Sequence, residues 1–186
     1  ITESQIKASY ESLKKAQERK KKGEGIVFSS DPLESDVAPV FVAVSSIQQF
    51  KAFVGVADGS DDKDIYYPPP MTAAEKAIFE KAKSLAELRS HMSDEFANKV
   101  KKAAEAYVMG NSEKVKDYTD IINDLGFPGR VAVFSGGPLV VPANTTYTVT
   151  GNDPVVWTYS TITVGAGGQI LVQTQLNSTS ESISIE

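Results

Sequence analysis

Two stretches of this chain, set 23 residues apart, carry one pattern. LVVPANTTYTV (139–149) and ITVGAGGQILV (162–172) align Leu139 with Ile162, Val141 with Val164, Ala143 with Ala166, Tyr147 with Ile170 and Val149 with Val172. Each copy reads as strand, four-residue turn, strand. Side chains alternate across a strand, so Val141 and Val164 face one way before the turn. Tyr147 with Val149, and Ile170 with Val172, resume that alternation after it. PANT and GAGG supply residues that accept positive φ, with Asn144 and either Gly167 or Gly168 expected to take it. The shift suits one coil of a β-solenoid, and it suits two successive hairpins of a sandwich equally well. A solenoid needs about three repeats to stand alone, and two are visible. The expected C-terminal fold is therefore an antiparallel β-sandwich or jelly-roll-like domain, with a short β-solenoid fragment as the alternative.

Charge sets the domain boundaries. Residues 1–25 carry seven Lys/Arg against four Asp/Glu, residues 26–71 two against seven, and residues 72–130 ten of each. Residues 131–186 carry no cation, three acids and fifteen Ser/Thr. Such shifts divide the chain into a basic amphipathic N-terminal helix (1–25), an α+β domain with a three-helix segment (26–130), and a Ser/Thr-rich all-β domain (131–186). The expected class is α+β.

Element signals fill in these segments. Ile6, Tyr10 and Leu13 recur at helical spacing behind Thr2, with Gln5 completing an approximate capping box. GIVFSS (25–30) and PVFVAVSS (39–46) read as strands, and a short helix is expected from Ser46. After the acidic ADGSDDKD and a stiff triple proline, Thr72 and Glu75 form a capping box that opens the first of three helices. The second follows Ser93, with Phe96, Val100, Ala103, Ala104 and Tyr107 on one face. The third runs from Asn111 or Ser112 to Gly126, through Val115, Tyr118, Ile121, Ile122 and Leu125. Strands are expected at 130–135, 138–142, 145–150, 154–164 (with a break near Ser160), 169–175 and 181–186.

Composition excludes several chemistries. With no cysteine there is no disulfide, thiolate nucleophile or Cys-ligated zinc, and His91 alone cannot build a multi-His centre. A net charge of −5 argues against nucleic acid as a main partner, and no apolar run is long enough for a transmembrane helix. The N-terminal charges come without the apolar run of a secretory signal, and an initial Ile points to a chain trimmed or continued upstream. Extracellular or surface placement is preferred.

Positive chemical signals are few. Asp58, Ser60, Asp62 and Asp64 alternate as oxygen ligands do in calcium loops, but Lys63 and Pro69 stand where such a loop has glycine and a bidentate Glu. Apart from this candidate calcium site no cofactor is expected. Trp157 and Tyr159 share one strand face, and Tyr66 and Tyr67 form a second aromatic pair. Exposed, either could seat a carbohydrate or a protein surface; buried, they are core. Neighbouring acids (Asp61 with Asp62, Asp94 with Glu95, Asp120 with Asp124) are candidate carboxylate pairs. No phosphate loop, nucleophile elbow or triad geometry around His91 is present.

These signals favour a non-catalytic structural or binding protein acting through its surfaces as a self-associating homo-oligomer. The final strand, SESISIE, with Ile183 and Ile185 on one face, is an edge able to recruit a partner. The alternatives are a secreted lectin-like or toxin subunit, or a carboxylate-dependent hydrolase.

Overall fold

The computed structural model describes residues 1–21, 23–60 and 62–186. Lys22 and Asp61 lie outside them, and with Asp61 the Asp61–Asp62 pair. Among the described residues the chain is mixed α/β, with six α-helices and ten strands in three sheets. It forms two compact units, Ile1–Ala43 with Arg130–Glu186, and Val44–Gly129. Segments 1–25 and 26–43, which charge set apart from the Ser/Thr-rich tail, thus belong to the same unit as that tail.

The first unit contains α1 (Glu3–Arg19), β1 (Val27–Ser29), β2 (Val40–Val44), β3 (Gly129–Gly136), β4 (Leu139–Val141), β5 (Thr146–Thr150), β6 (Val155–Tyr159), β7 (Thr161–Val164), β8 (Gln169–Val172), β9 (Leu176–Thr179) and β10 (Ser182–Ile185). The sheets run β2-β3-β6-β9, β10-β7-β4 and β1-β5-β8. The chain therefore visits the three sheets in rotation: β3, β4, β5, then β6, β7, β8, then β9, β10. The pairs β1–β5, β5–β8, β4–β7, β7–β10, β3–β6 and β6–β9 are all parallel. This is the stacking order of a β-solenoid, the alternative in the sequence reading; the expected antiparallel sandwich or jelly roll does not form.

The repeat explains why. Leu139 pairs with Ile162, Val141 with Val164, Tyr147 with Ile170 and Val149 with Val172, so the matched letters are strand neighbours one coil apart. Bonds at the corners run between coils: Gly165 N donates to Val141 O at 2.9 Å, and Asn144 N donates to Ala166 O at 3.0 Å. Asn144 (φ 54°) and Gly167 (φ 70°) hold the same left-handed corner. A third coil follows, with Val155 opposite Leu176 and Ile162 opposite Ile183.

The solenoid interior is one apolar cluster. Ala132, Phe134, Leu139, Val141, Tyr147, Val149, Val155, Trp157, Tyr159, Ile162 and Val164 line it from the coils, and Leu13, Ala16, Ile26 and Phe28 enter from the N-terminal segments. Phe28 packs edge-on to Phe134 (5.2 Å between centroids) and Trp157 (4.8 Å). Such aromatic pairs add about 0.5–1.5 kcal/mol each beyond area burial.

The second unit holds α2 (Ile47–Val54), α3 (Ala73–Lys81), α4 (Leu85–His91), α5 (Asp94–Met109), a 3₁₀ segment (Ser112–Tyr118) and α6 (Thr119–Gly126). The Ser46, Thr72 and Ser93 caps form as expected. Two of the three expected helices break. Residues 82–84 split the first, because Ser84 Oγ accepts from Glu87 N while Glu87 Oε2 accepts from Lys83 N, and a new cap starts a new helix. Non-helical backbone at Val115 divides the third.

Candidate functional site

The two ends of the coil stack are finished differently. At the N-terminal end α1 lies along β4. Tyr10 Oη donates to Pro138 O (3.3 Å), Gln17 Nε2 to Val140 O (3.4 Å) and to Tyr147 Oη (3.3 Å), and Ser135 N donates to Ser9 Oγ (3.1 Å). Leu13 and Ala16 are buried beneath the helix. Gly136 (φ 155°) passes under the Tyr10 ring, where a Cβ would stand 2.5 Å from ring carbons. The outer edge of β1 is occupied too. Val27 N donates to Asp36 Oδ2, Val27 O accepts from Asp36 N, and Ser29 N donates to Ser35 Oγ. Helix and loop thus satisfy the β4 and β1 edges, which otherwise recruit strands, while β2 is the outermost strand of the third sheet at this end.

Among the described residues the opposite end carries no such cover. β8, β9 and β10 are the outermost strands of the three sheets. Interior columns that are sealed one coil earlier lie open here. Val149 is fully buried but its neighbour Val172 is 46 % exposed; Ile162 is buried but Ile183 is 64 % exposed, and Ile185 is 83 % exposed. The sequence placed Val149 and Val172 at matching core positions. They do share a column, but among the described residues Val172 lies on the outermost strand of its sheet. Among the described residues the end of the stack is a cross-section of core, bounded by β8, β9 and β10 as the outermost strands of their sheets.

The acidic loop forms a second polar cluster. Asp58 accepts from Ser112 N and Ser112 Oγ, both at 2.7 Å, and pairs with Lys51 Nζ at 2.9 Å. The amide bond from Ser112, then Lys51, hold its carboxyl down to about 2. Lys51 Nζ also donates to the carbonyls of Tyr107 (2.8 Å) and Gly110 (2.6 Å), placing a cation at the C-terminal end of α5, where helix carbonyls favour it. Asp62 pairs with Lys114 Nζ at 2.7 Å and accepts from Tyr67 Oη, and these two contacts lower its pKa. Tyr67 Oη in turn accepts from Asn111 N at 2.7 Å; burial, then the Asp62 bond, raises its pKa.

The predicted site residues are thus dispersed. Asp58 and Asp62 engage different lysines, Ser60 and Asp64 are exposed, and no group of three or more metal-ligating side chains gathers among the described residues. Trp157 and Tyr159 are in the solenoid core at 1 % and 2 % exposure, so their strand presents no aromatic platform. Tyr66 is 65 % exposed beside Met109, Lys102 and Glu105, while Tyr67 is committed to the loop network. Asp94, Glu95, Asp120 and Asp124 are exposed on their helices. His91 Nδ1 lies 2.8 Å from Glu87 O at the end of α4.

The sequence reading missed the cover at the N-terminal end. Ser9, Tyr10 and Gln17 touch positions more than 120 residues away, and only the Tyr10–Leu13 spacing hinted at a buried face. Among the described residues no helix is long and apolar enough to cross a membrane. Comparison of the chain with protein-family models, curated proteins and solved structures finds no match.

Proposed function

We propose that this chain is a non-catalytic structural or binding subunit that works through its surfaces and assembles with copies of itself. The supporting observation is the open end of the coil stack, where Val172 on β8 and Ile183 and Ile185 on β10, each the outermost strand of its sheet, expose an apolar interior. Apolar surface of that kind is stabilised by removal from water, and unpaired backbone groups by a further strand. The lectin-like reading loses its aromatic platform with Trp157 in the core. Among the described residues the carboxylates named for the hydrolase reading are committed elsewhere: Asp58 and Asp62 are paired with lysines, and the helical acids face solvent.

Light scattering on the 186-residue chain tests the proposal. The expected mass exceeds one subunit at micromolar concentration. A mass of one subunit throughout a dilution series from high micromolar would overturn it.

A further inference from the structure

We infer that two copies of this chain meet end to end through their open third coils, with β10 pairing antiparallel to its own copy about a two-fold axis at Ser184. The inference rests on the self-association reading above and specifies its geometry. Stacking head to tail would require the N-terminal end as the acceptor. There α1 occupies the β4 edge through Tyr10, Leu13 and Gln17, and Ser35 and Asp36 occupy the β1 edge, so two of the three sheets, that of β10 among them, offer no edge to an incoming strand. The outer edge of β10 therefore finds its match in the same edge of another copy. A contact in which both copies use the same patch closes at two subunits.

The register follows from the strand itself. Glu186 N donates to Val164 O, so the even-numbered residues of β10 turn their backbone groups toward β7. Alternation then turns the backbone groups of Ile183 and Ile185 toward the open edge. Their side chains continue the interior columns of Ile162 and Val164. An antiparallel pairing must set odd residues against odd residues, because a one-residue slip would put interior isoleucines against exterior serines. Two such registers are central. A two-fold axis at Ile183 sets Ile185 against the second copy's Glu181, a charge beside an exposed apolar side chain. A two-fold axis at Ser184 sets Ile183 against Ile185 twice, Ser184 against Ser184, and Ser182 against Glu186. The second keeps apolar with apolar and lets Ile183 and Ile185 exchange both backbone hydrogen bonds.

In this register Ser184 and its copy form a non-hydrogen-bonded pair with Cα atoms about 4.5 Å apart, within disulfide range. The chain has no cysteine, so a single introduced one reports without background. Ser184→Cys and Ser182→Cys, each in the full chain, are oxidised with oxidised glutathione and run without reductant. The mass of the unmodified chain is followed over concentration, alongside Ile183→Lys/Ile185→Lys with circular dichroism as a folding control. Expected is a mass that levels at two subunits, covalent dimer from Ser184→Cys well above that from Ser182→Cys, and a folded one-subunit species from the lysine variant. A mass that keeps growing past two overturns the closed geometry and leaves self-association standing. A two-subunit mass with stronger cross-linking at Ser182, or one unchanged in the folded lysine variant, overturns the register or the surface. One subunit at every concentration overturns both this inference and the reading on which it rests.

Discussion

Tyr159 Oη, Trp157 Nε1 and Ser135 Oγ are buried without a hydrogen-bond partner among the described atoms. A buried donor without a partner costs about 1–3 kcal/mol relative to its hydrated state. The burial also raises the Tyr159 pKa far above the phenol's ordinary value, so the hydroxyl stays neutral. Tyr159→Phe keeps the ring against Trp157 and removes the orphaned group, and is expected to raise unfolding stability by about 1 kcal/mol in urea. A loss of similar size would mean that the hydroxyl is satisfied in solution. Asp58 makes the opposite case, a carboxylate with three partners. Its folded pKa of about 2 lies below the ordinary 3.8, so its contribution is fully present above 3.8 and fades as pH falls through about 2. Asp58→Asn is expected to be less stable than the parent at pH 6, with the difference closing below about pH 2. Equal stability at pH 6 would remove the anchoring role. With Asp58 held by Lys51 and Ser112, millimolar calcium is expected to leave the parent's melting temperature unchanged; a rise would restore the calcium reading.

Among elements, the stacked corners respond most sharply to single substitutions. Gly167 takes φ 70°, and a Cβ there would meet Asn144 Oδ1 at 2.5 Å. Left-handed backbone costs an ordinary L-residue about 1–2 kcal/mol, so Gly167→Ala should destabilise by at least that. Asn144→Gly, at the equivalent corner one coil earlier, should change stability by less than about 0.5 kcal/mol. A stability series in urea reads both, and equal effects would mean that the corners are not equivalent. The helices obey the same local logic. Thr2 with Gln5 and Thr72 with Glu75 close as capping boxes, and both were visible as letters. Ser84 with Glu87 was equally visible but sat inside an unbroken apolar period, so MTAAEKAIFEKAKSLAELRS (71–90) read as one helix capped by Thr72. There the stop was chemical, and periodicity alone does not register it.

At the scale of the molecule, the repeat fixed which residues stack, but not in which direction their strands run. Period-two alternation is the same for parallel and antiparallel neighbours; the distinction lies in corner bonds such as Gly165 N to Val141 O, which no letter records. The third coil escaped notice for a simpler reason. Partners are 23 positions apart across the first step, as in Arg130–Asp153, but 21 apart across the second, as in Thr163–Ser184. A fixed-shift comparison loses Ile183 and Ile185 at once. Trp157 was legible as either core or platform, and only the entry of Phe28 from a distant segment decides it. The unfinished end has its own energetic signature. Val149→Ala should cost about 1–2.5 kcal/mol by lost burial and cavity, whereas Val172→Ala should cost under about 0.7 kcal/mol in the dilute single subunit. If the two match under dilution, something covers Val172 even there.

The parallel pairing of β1 with β5 joins segments far apart in the chain, and that separation bears on the order of folding. Coils from β3 to β8 close loops of about two dozen residues, while Ser30 reaches Asp153 across 123 positions and Ser9 reaches Ser135 across 126. Loop closure is entropically harder for the longer span, so the short-range coils should form the folding nucleus, and residues 1–43 should add to it late. Leu13→Ala is then expected to accelerate unfolding while leaving the refolding rate nearly unchanged, and Val164→Ala to slow refolding. Stopped-flow rates that respond in the reverse sense would place α1 in the nucleus. If the order holds, α1 completes a scaffold already built, and until it arrives the β4 edge that it covers in the folded chain stands exposed.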